Sequence, residues 1–160
     1  AAIAVHIAGS ISAFADMMNE EALAIGATGT HFTNPHGLTD EDHYTSAYDL
    51  YLIFNEAMKE PEFRKIEGTT SYYAEYVDSA GETVSQTWKM SNQYLTGEQQ
   101  APDGVTVTGG KTGTTQAAGY CLIVSSEAED GGEYISVVLK ADSRPNLYDN
   151  MTNLMNKIVN

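Results

Sequence analysis

Val105-Thr106-Val107-Thr108-Gly109-Gly110-Lys111-Thr112-Gly113-Thr114-Thr115 is the stretch on which the fold turns. It opens by alternating apolar and polar residues, the period of a half-buried strand. Two further apolar runs follow at 120–124 and 134–139, each bounded by glycine or charged residues. Strands are therefore expected at 105–111, 120–125 and 134–139. The connections around 114–118 and 129–132 are too short for the crossover of about a dozen residues that parallel neighbours need, so the pairing is expected to be antiparallel. Leu147, Met151, Leu154, Met155 and Ile158 then recur at helical spacing, with Asn146 as N-cap. That closing helix should pack on the sheet.

Upstream of this stretch the periodicity changes. Residues 1–5 read as helix without a capping residue. After Gly9, Ser10 or Ser12 can cap a second helix carrying Phe14, Met17, Met18, Ala22 and Ile25 on one face, with Gly26 as its stop. Residues 28–44 hold Gly29, Pro35, Gly37 and the acidic run Asp40-Glu41-Asp42 without periodicity, which predicts a long ordered loop. Ser46 with Asp49 resembles a capping box, and Leu50, Ile53, Phe54, Ala57 and Met58 form the apolar stripe of the helix that follows, limited by Pro61. Around Asp78-Ser79-Ala80-Gly81, the β-rich segments 72–77 and 82–88 read as a hairpin. With no repeat or linker, these elements suggest one α+β unit.

The chain has 160 residues, 42% of them hydrophobic, which is enough for one core. Its net charge of −14 argues against phosphate backbones and anionic membrane surfaces as partners, so no nucleic acid is expected. No apolar run approaches the ~20 residues of a membrane span. Cys121 is the only cysteine and reads as a small buried hydrophobe. The helical start without Met suggests that something upstream has been removed.

The chemistry concentrates at Gly109 to Thr115. Glycines let a ligand backbone approach, while Lys111 and the hydroxyl residues offer a cation and donors at one edge, a plausible site for an anion or a peptide carboxylate. The alternative is a solvated turn between two strands. A phosphate loop does not fit, because its first glycine is absent at the required spacing before Gly110-Lys111 and no helix follows. His31, His36 and His43 match no compact metal spacing, and Asp40-Glu41-Asp42 lacks the glycine and the twelfth-position glutamate of a calcium loop, so neither metal nor other cofactor is expected. Tyr72, Tyr73, Tyr76 and Trp88 either pack across paired strands or line a glycan-binding face. Asn150-Met151-Thr152, a formal glycosylation sequon, falls inside the closing helix.

Lys-Thr-Gly belongs to the signature set of penicillin-binding proteins and class A β-lactamases, together with Ser-x-x-Lys and a Ser-Asp-Asn type motif. The segments Thr30-His31-Phe32-Thr33-Asn34-Pro35-His36-Gly37-Leu38, His43 to Leu50, Ser91-Asn92-Gln93-Tyr94-Leu95 and Gly109 to Leu122 resemble, in order, those of the penicillin-binding D-alanyl-D-alanine carboxypeptidases. The resemblance runs from Ala1 to about Leu139. It implies part of the β-lactamase/transpeptidase-like fold, with residues 1–160 forming one partial domain that lacks its N-terminal part. No serine in the chain has a lysine three residues on, and Ser-x-Asn is also missing, although Tyr148-Asp149-Asn150 mimics it in the last helix. Truncation would account for both absences, since both motifs would lie upstream of Ala1.

What the resemblance implies is a serine-type acyl transfer on peptidoglycan stem peptides ending in D-Ala-D-Ala, outside the cytoplasmic membrane in the cell envelope. β-Lactams would acylate the same serine. Lys111 would place positive charge beside the nucleophile, Thr112 and Gly113 would hold the substrate, and the N–H of Thr114 would form half of the oxyanion hole. Arg144 is the nearest candidate for the late arginine that assists with the carboxylate. The remaining partner would be the missing part of the same domain. Alternatives are a β-lactamase-related enzyme, which the His-Gly-Leu segment disfavours, and a non-catalytic protein that binds cell-wall peptide or glycan.

Overall fold

The structure is a computed structural model and describes residues 1–159. Helix α1 (Ala2–Ala8) begins without a side-chain cap and ends at Gly9, whose φ of 81° permits the left-handed stop. Helix α2 (Ile11–Ala24) is capped by Ser10, which accepts a hydrogen bond from the N–H of Ala13. Residues 28–44 contain no helix and only a single bridge, His31 to Tyr44. Asn19 of α2 pins this loop by donating to the carbonyl of Phe32 and accepting from its N–H. Inside the loop, the Asn34 side chain accepts from the N–H groups of His36 and Gly37 and donates to the carbonyl of Leu38, which shapes the His-Gly-Leu turn.

Helix α3 (Ala47–Ala57) starts at Ser46, whose hydroxyl accepts from the N–H of Asp49. The reciprocal half of the expected capping box does not form, because the Asp49 carboxylate accepts from the hydroxyl of Thr30 instead. Pro61 does more than end this helix. It is the first residue of α4 (Pro61–Glu67), which the sequence reading passed over although a proline at N1 costs the helix no hydrogen bond. Phe54 and Phe63 meet edge to face across α3 and α4.

The hairpin is formed by β1 (Ser71–Val77) and β2 (Thr83–Lys89), antiparallel as expected. The short helix α5 (Gln93–Thr96) follows, capped by Asn92. A three-stranded sheet in the order β3 (Val105–Thr115), β4 (Gly119–Ala128), β5 (Glu133–Ala141) is antiparallel throughout. All three strands run beyond their expected ends. Helix α6 (Arg144–Met155) is capped by Ser143, not Asn146, because Pro145 fits the first turn and leaves the serine hydroxyl to accept from the Asn146 N–H.

Period-2 alternation sorts the sheet into two faces. Leu122 and Val124 of β4 are buried against Leu147, Tyr148, Met151 and Met155 of α6. Ser125, the residue after Val124, looks the other way, toward α4. The sheet is thus covered by α6 on one face and approached by α3 and α4 on the other, an α+β arrangement. Cys121 is only half-buried, since it sits near the end of β4 opposite Gly113, outside that packed core. Among the described residues no helix is long and apolar enough to cross a membrane.

Candidate active site

Strand β3 is the edge of its sheet, paired with β4 on one side only. Every second residue along such a strand turns its N–H and C=O away from the ladder, toward whatever lies beyond the edge. Lys111 pairs with Ile123, Thr112 with Leu122 and Gly113 with Cys121, so the whole Lys-Thr-Gly segment lies within the ladder and is not a turn. Lys111, Gly113 and Thr114 are exposed and Thr112 is half-buried. The Lys111 ammonium bends back to donate to the carbonyl of Thr112.

The two glycines before Lys111 do not leave room for a ligand. A Cβ on Gly109 would lie 2.0 Å from Oε2 of Glu67, and one on Gly110 would lie 2.3 Å from the carbonyl oxygen of Ile123. Both positions are filled by the protein itself, and Gly110 adds a φ of 143° that side-chain-bearing residues rarely adopt. The register shifts between Val107 and Gly109, leaving Thr108 as a bulge just before the Lys-Thr-Gly segment. Gly113 differs from both, because a Cβ there would meet nothing within 4 Å. The expectation of close ligand approach therefore fails for Gly109 and Gly110 and fits Gly113.

Three groups hold the segment in place, two of them buried. Asn92, 1% exposed, donates to the carbonyl of Gly109. The hydroxyl of Ser91 lies 2.5 Å from that of Thr112. Tyr148 of α6 places its hydroxyl between them, accepting from the N–H of Gln93 and donating to the carbonyl of Ser91. The closing helix is thereby tied to the 91–93 segment and through it to Thr112, a link that the apolar stripe of α6 does not disclose.

On the opposite face, Ser125 donates to Oε1 of Glu67 at 2.8 Å and accepts from the hydroxyl of Thr108. Among the described residues, Oε2 of Glu67 and the hydroxyl of Ser126 have no hydrogen-bond partner, and both residues line a cavity of about 390 Å³. Burial pushes the Glu67 carboxyl above its ordinary range, against the opposing pull of the Ser125 hydrogen bond and the Arg64 charge. A carboxyl whose pKa is higher folded than unfolded contributes stability that is full below the unfolded value and is lost as the pH rises through the folded one. Glu67→Gln, which keeps the shape of the neutral form, should therefore stabilise the protein at neutral pH by on the order of 1 kcal/mol. It should also flatten the decline in stability above pH 4.5, the ordinary glutamate value. Urea titrations of both proteins across that range check this, and identical pH profiles would contradict it.

A groove of about 640 Å³ opens beside Lys111 and Thr112 and runs past Ser91 and Met90 to Trp88 and Tyr72. Its walls bring together the lysine and the hydroxyl that the sequence singled out. Arg144 is not among its lining residues. It is exposed at the first position of α6, and no ion pair engages it among the described residues. The chain's other arginine, Arg64, is held by both carboxylate oxygens of Glu133. The loop histidines serve the loop: Nδ1 of His31 meets the carbonyl of Asp42, and Nδ1 of His43 accepts from the N–H of Thr33.

Comparison with known proteins agrees with this geometry. The family model described as D-alanyl-D-alanine carboxypeptidase, peptidase family S11, matches residues 1–143. The D-alanyl-D-alanine carboxypeptidase DacF of Bacillus subtilis is 36% identical over 126 residues, which is 79% of this chain and 30% of that protein. The crystal structure of the Streptomyces K15 DD-transpeptidase superimposes with a TM-score of 0.79 at 32% identity, covering 90% of this chain and 53% of the other. The D-alanyl-D-alanine carboxypeptidase DacD of Francisella tularensis also gives 0.79, at 27% identity, covering 98% of this chain and 47% of its own. The chain thus spans between about a third and a half of the length of the relatives it matches. On the family match over residues 1–143 and the shared fold, the chain belongs to the D-alanyl-D-alanine carboxypeptidase family.

Proposed function

We propose that these 160 residues supply the Lys-Thr-Gly wall of a serine-type D-Ala-D-Ala carboxypeptidase that acts on peptidoglycan stem peptides in the cell envelope, outside the cytoplasmic membrane. The supporting observation is the edge of β3, where Lys111 and Gly113 are exposed while the Ser91 hydroxyl engages Thr112 and the buried Asn92 holds the carbonyl of Gly109. No serine here has a lysine three residues on, so the nucleophile is supplied by residues outside this sequence. In the proposed reaction its hydroxyl attacks the carbonyl between the two D-alanines, the C–N bond breaks, and D-alanine leaves after taking up a proton. Water then hydrolyses the ester. β-Lactams open on the same serine.

Lys111 contributes a positive charge beside the developing oxyanion, and Thr112 with Gly113 holds the terminal carboxylate. The N–H of Thr114 supplies one of the two oxyanion donors, the nucleophile's own N–H being the other. Arg144, free of an ion pair, is the arginine available to the carboxylate. Residues 1–160 belong in this reading to a single transpeptidase-like domain shared with the nucleophile-bearing segment. The lack of a nucleophile also fits a non-catalytic protein that holds cell-wall peptide. Release of D-alanine from a peptide ending in D-Ala-D-Ala separates the two readings. A polypeptide carrying these residues together with its Ser-x-x-Lys segment should release D-alanine and be blocked by penicillin; tight peptide binding without release would favour the binding protein.

A further inference from the structure

The groove at Lys111 does not end at the peptide-binding edge; it leads onto an aromatic surface. Tyr72 lies opposite Trp88 in the hairpin register, and their rings stack at 6.3 Å with planes 6° apart. Tyr76 stacks on the same Trp88 at 6.2 Å and 10°. Cross-strand packing is thus real, yet the three residues remain 62%, 46% and 41% exposed for Tyr72, Trp88 and Tyr76. Three nearly parallel rings on one face of a two-stranded ribbon bury little of one another.

The composition of that face is as informative as the rings. By strand alternation it carries Tyr72, Ala74 and Tyr76 from β1 and Val84, Gln86 and Trp88 from β2, with no charge among them in a chain of net charge −14. The Tyr76 hydroxyl donates to Oε1 of Gln86 at 3.1 Å, leaving the Gln86 amide N–H groups and the tyrosine oxygen available at the rim. Apolar ring faces edged by neutral hydrogen-bonding groups suit a ligand that is itself neutral, with a C–H face and a ring of hydroxyls. That description is a sugar.

Position and charge link this face to the peptide edge. Ser91 touches Thr112, Trp88 lies three residues before it, and Val84, the partner of Tyr76, lies seven before it. At about 3.3 Å per residue the platform extends from roughly 10 to roughly 23 Å from the Thr112 contact, the span of three to seven extended residues. Between them the groove is lined by Lys65, Lys89 and Lys111, three of the chain's eight basic residues, against the single acid Glu62. Lys65 is paired to that acid.

We infer that Tyr72, Trp88 and Tyr76 form a saccharide-binding platform, and that the groove takes an anionic peptide by its terminal carboxylate at Thr112 and Gly113 and by the sugar at its other end. The three rings thereby set a preference for a sugar-bearing peptide over the same peptide without its sugar. The inference rests on the carboxypeptidase reading for the peptide end alone.

Trp88 is the only tryptophan, so its emission reports this surface directly. The chain would be titrated with a disaccharide-peptide released from peptidoglycan, with the same peptide lacking sugar, and with the disaccharide alone. The glycopeptide should shift the emission and bind about tenfold or more tightly than the free peptide. By calorimetry, Trp88→Ala should reduce its affinity to that of the free peptide, while Tyr73→Ala on the opposite face should leave it unchanged. Equal affinity with and without sugar would overturn the platform and leave the carboxypeptidase reading standing. Failure of every ligand to bind would also overturn the platform, whose three rings lie wholly within this chain, and would leave standing the carboxypeptidase reading, which needs the nucleophile-bearing segment.

Discussion

Lys111→Ala, placed in a polypeptide that also carries the nucleophile, is expected to slow β-lactam acylation by about 10²-fold or more while leaving the melting temperature nearly unchanged. The two halves of this expectation have separate physical grounds. Lys111 is exposed, and the hydrogen bond it makes is a local one to the carbonyl of the next residue. Removing such a side chain usually changes stability by less than about 0.5 kcal/mol. In the acylation transition state, by contrast, negative charge develops where the reading puts this ammonium, and a lost contact of that kind is felt in rate. Stopped-flow acylation alongside thermal unfolding measures both. A parental acylation rate would remove Lys111 from the site, and unfolding would make it a structural residue.

Gly110→Ala should act in the opposite way, damaging the fold first. Its Cβ would meet backbone, the carbonyl oxygen of Ile123 at 2.3 Å and Cα of Val124 at 3.0 Å, so no side-chain rotation relieves the clash. The φ of 143° adds conformational strain to the steric term. Together these should cost on the order of 3 to 5 kcal/mol, a large part of the 5–15 kcal/mol that holds a typical domain together. Gly113→Ala, two strand positions from Lys111, is the matched control: with open space around the new methyl it should unfold in urea close to the parent. If Gly110→Ala were equally well tolerated, the tight seating of β3 against β4 would be wrong.

These two glycines show where the sequence was legible and where it was not. Alternation and short connections disclosed the three antiparallel strands, since period and loop length are local properties. The Lys-Thr-Gly segment was legible because its residue types are themselves the chemistry. Why Gly109 must be glycine was not, because the reason is Glu67, a residue 42 positions earlier whose burial no local pattern announces among 22 acidic residues. Tyr148 was hidden differently: it falls on the buried face of α6 like its apolar neighbours, and only its hydroxyl contacts reveal that it steadies Ser91. Helix α4 was missed because Pro61 was read as a stop when it was a start. For Tyr72, Tyr76 and Trp88 the sequence left two readings open, and the structure supports cross-strand packing without removing the rings from solvent.

The central claim, that this chain provides one wall of a penicillin-reactive site and not its nucleophile, is tested most directly by intact-mass spectrometry after incubation with penicillin. The 160-residue chain alone should show no adduct, and the same residues joined to their Ser-x-x-Lys segment should gain one penicillin per polypeptide. A stoichiometric acyl adduct on any serine of the isolated chain would contradict the account.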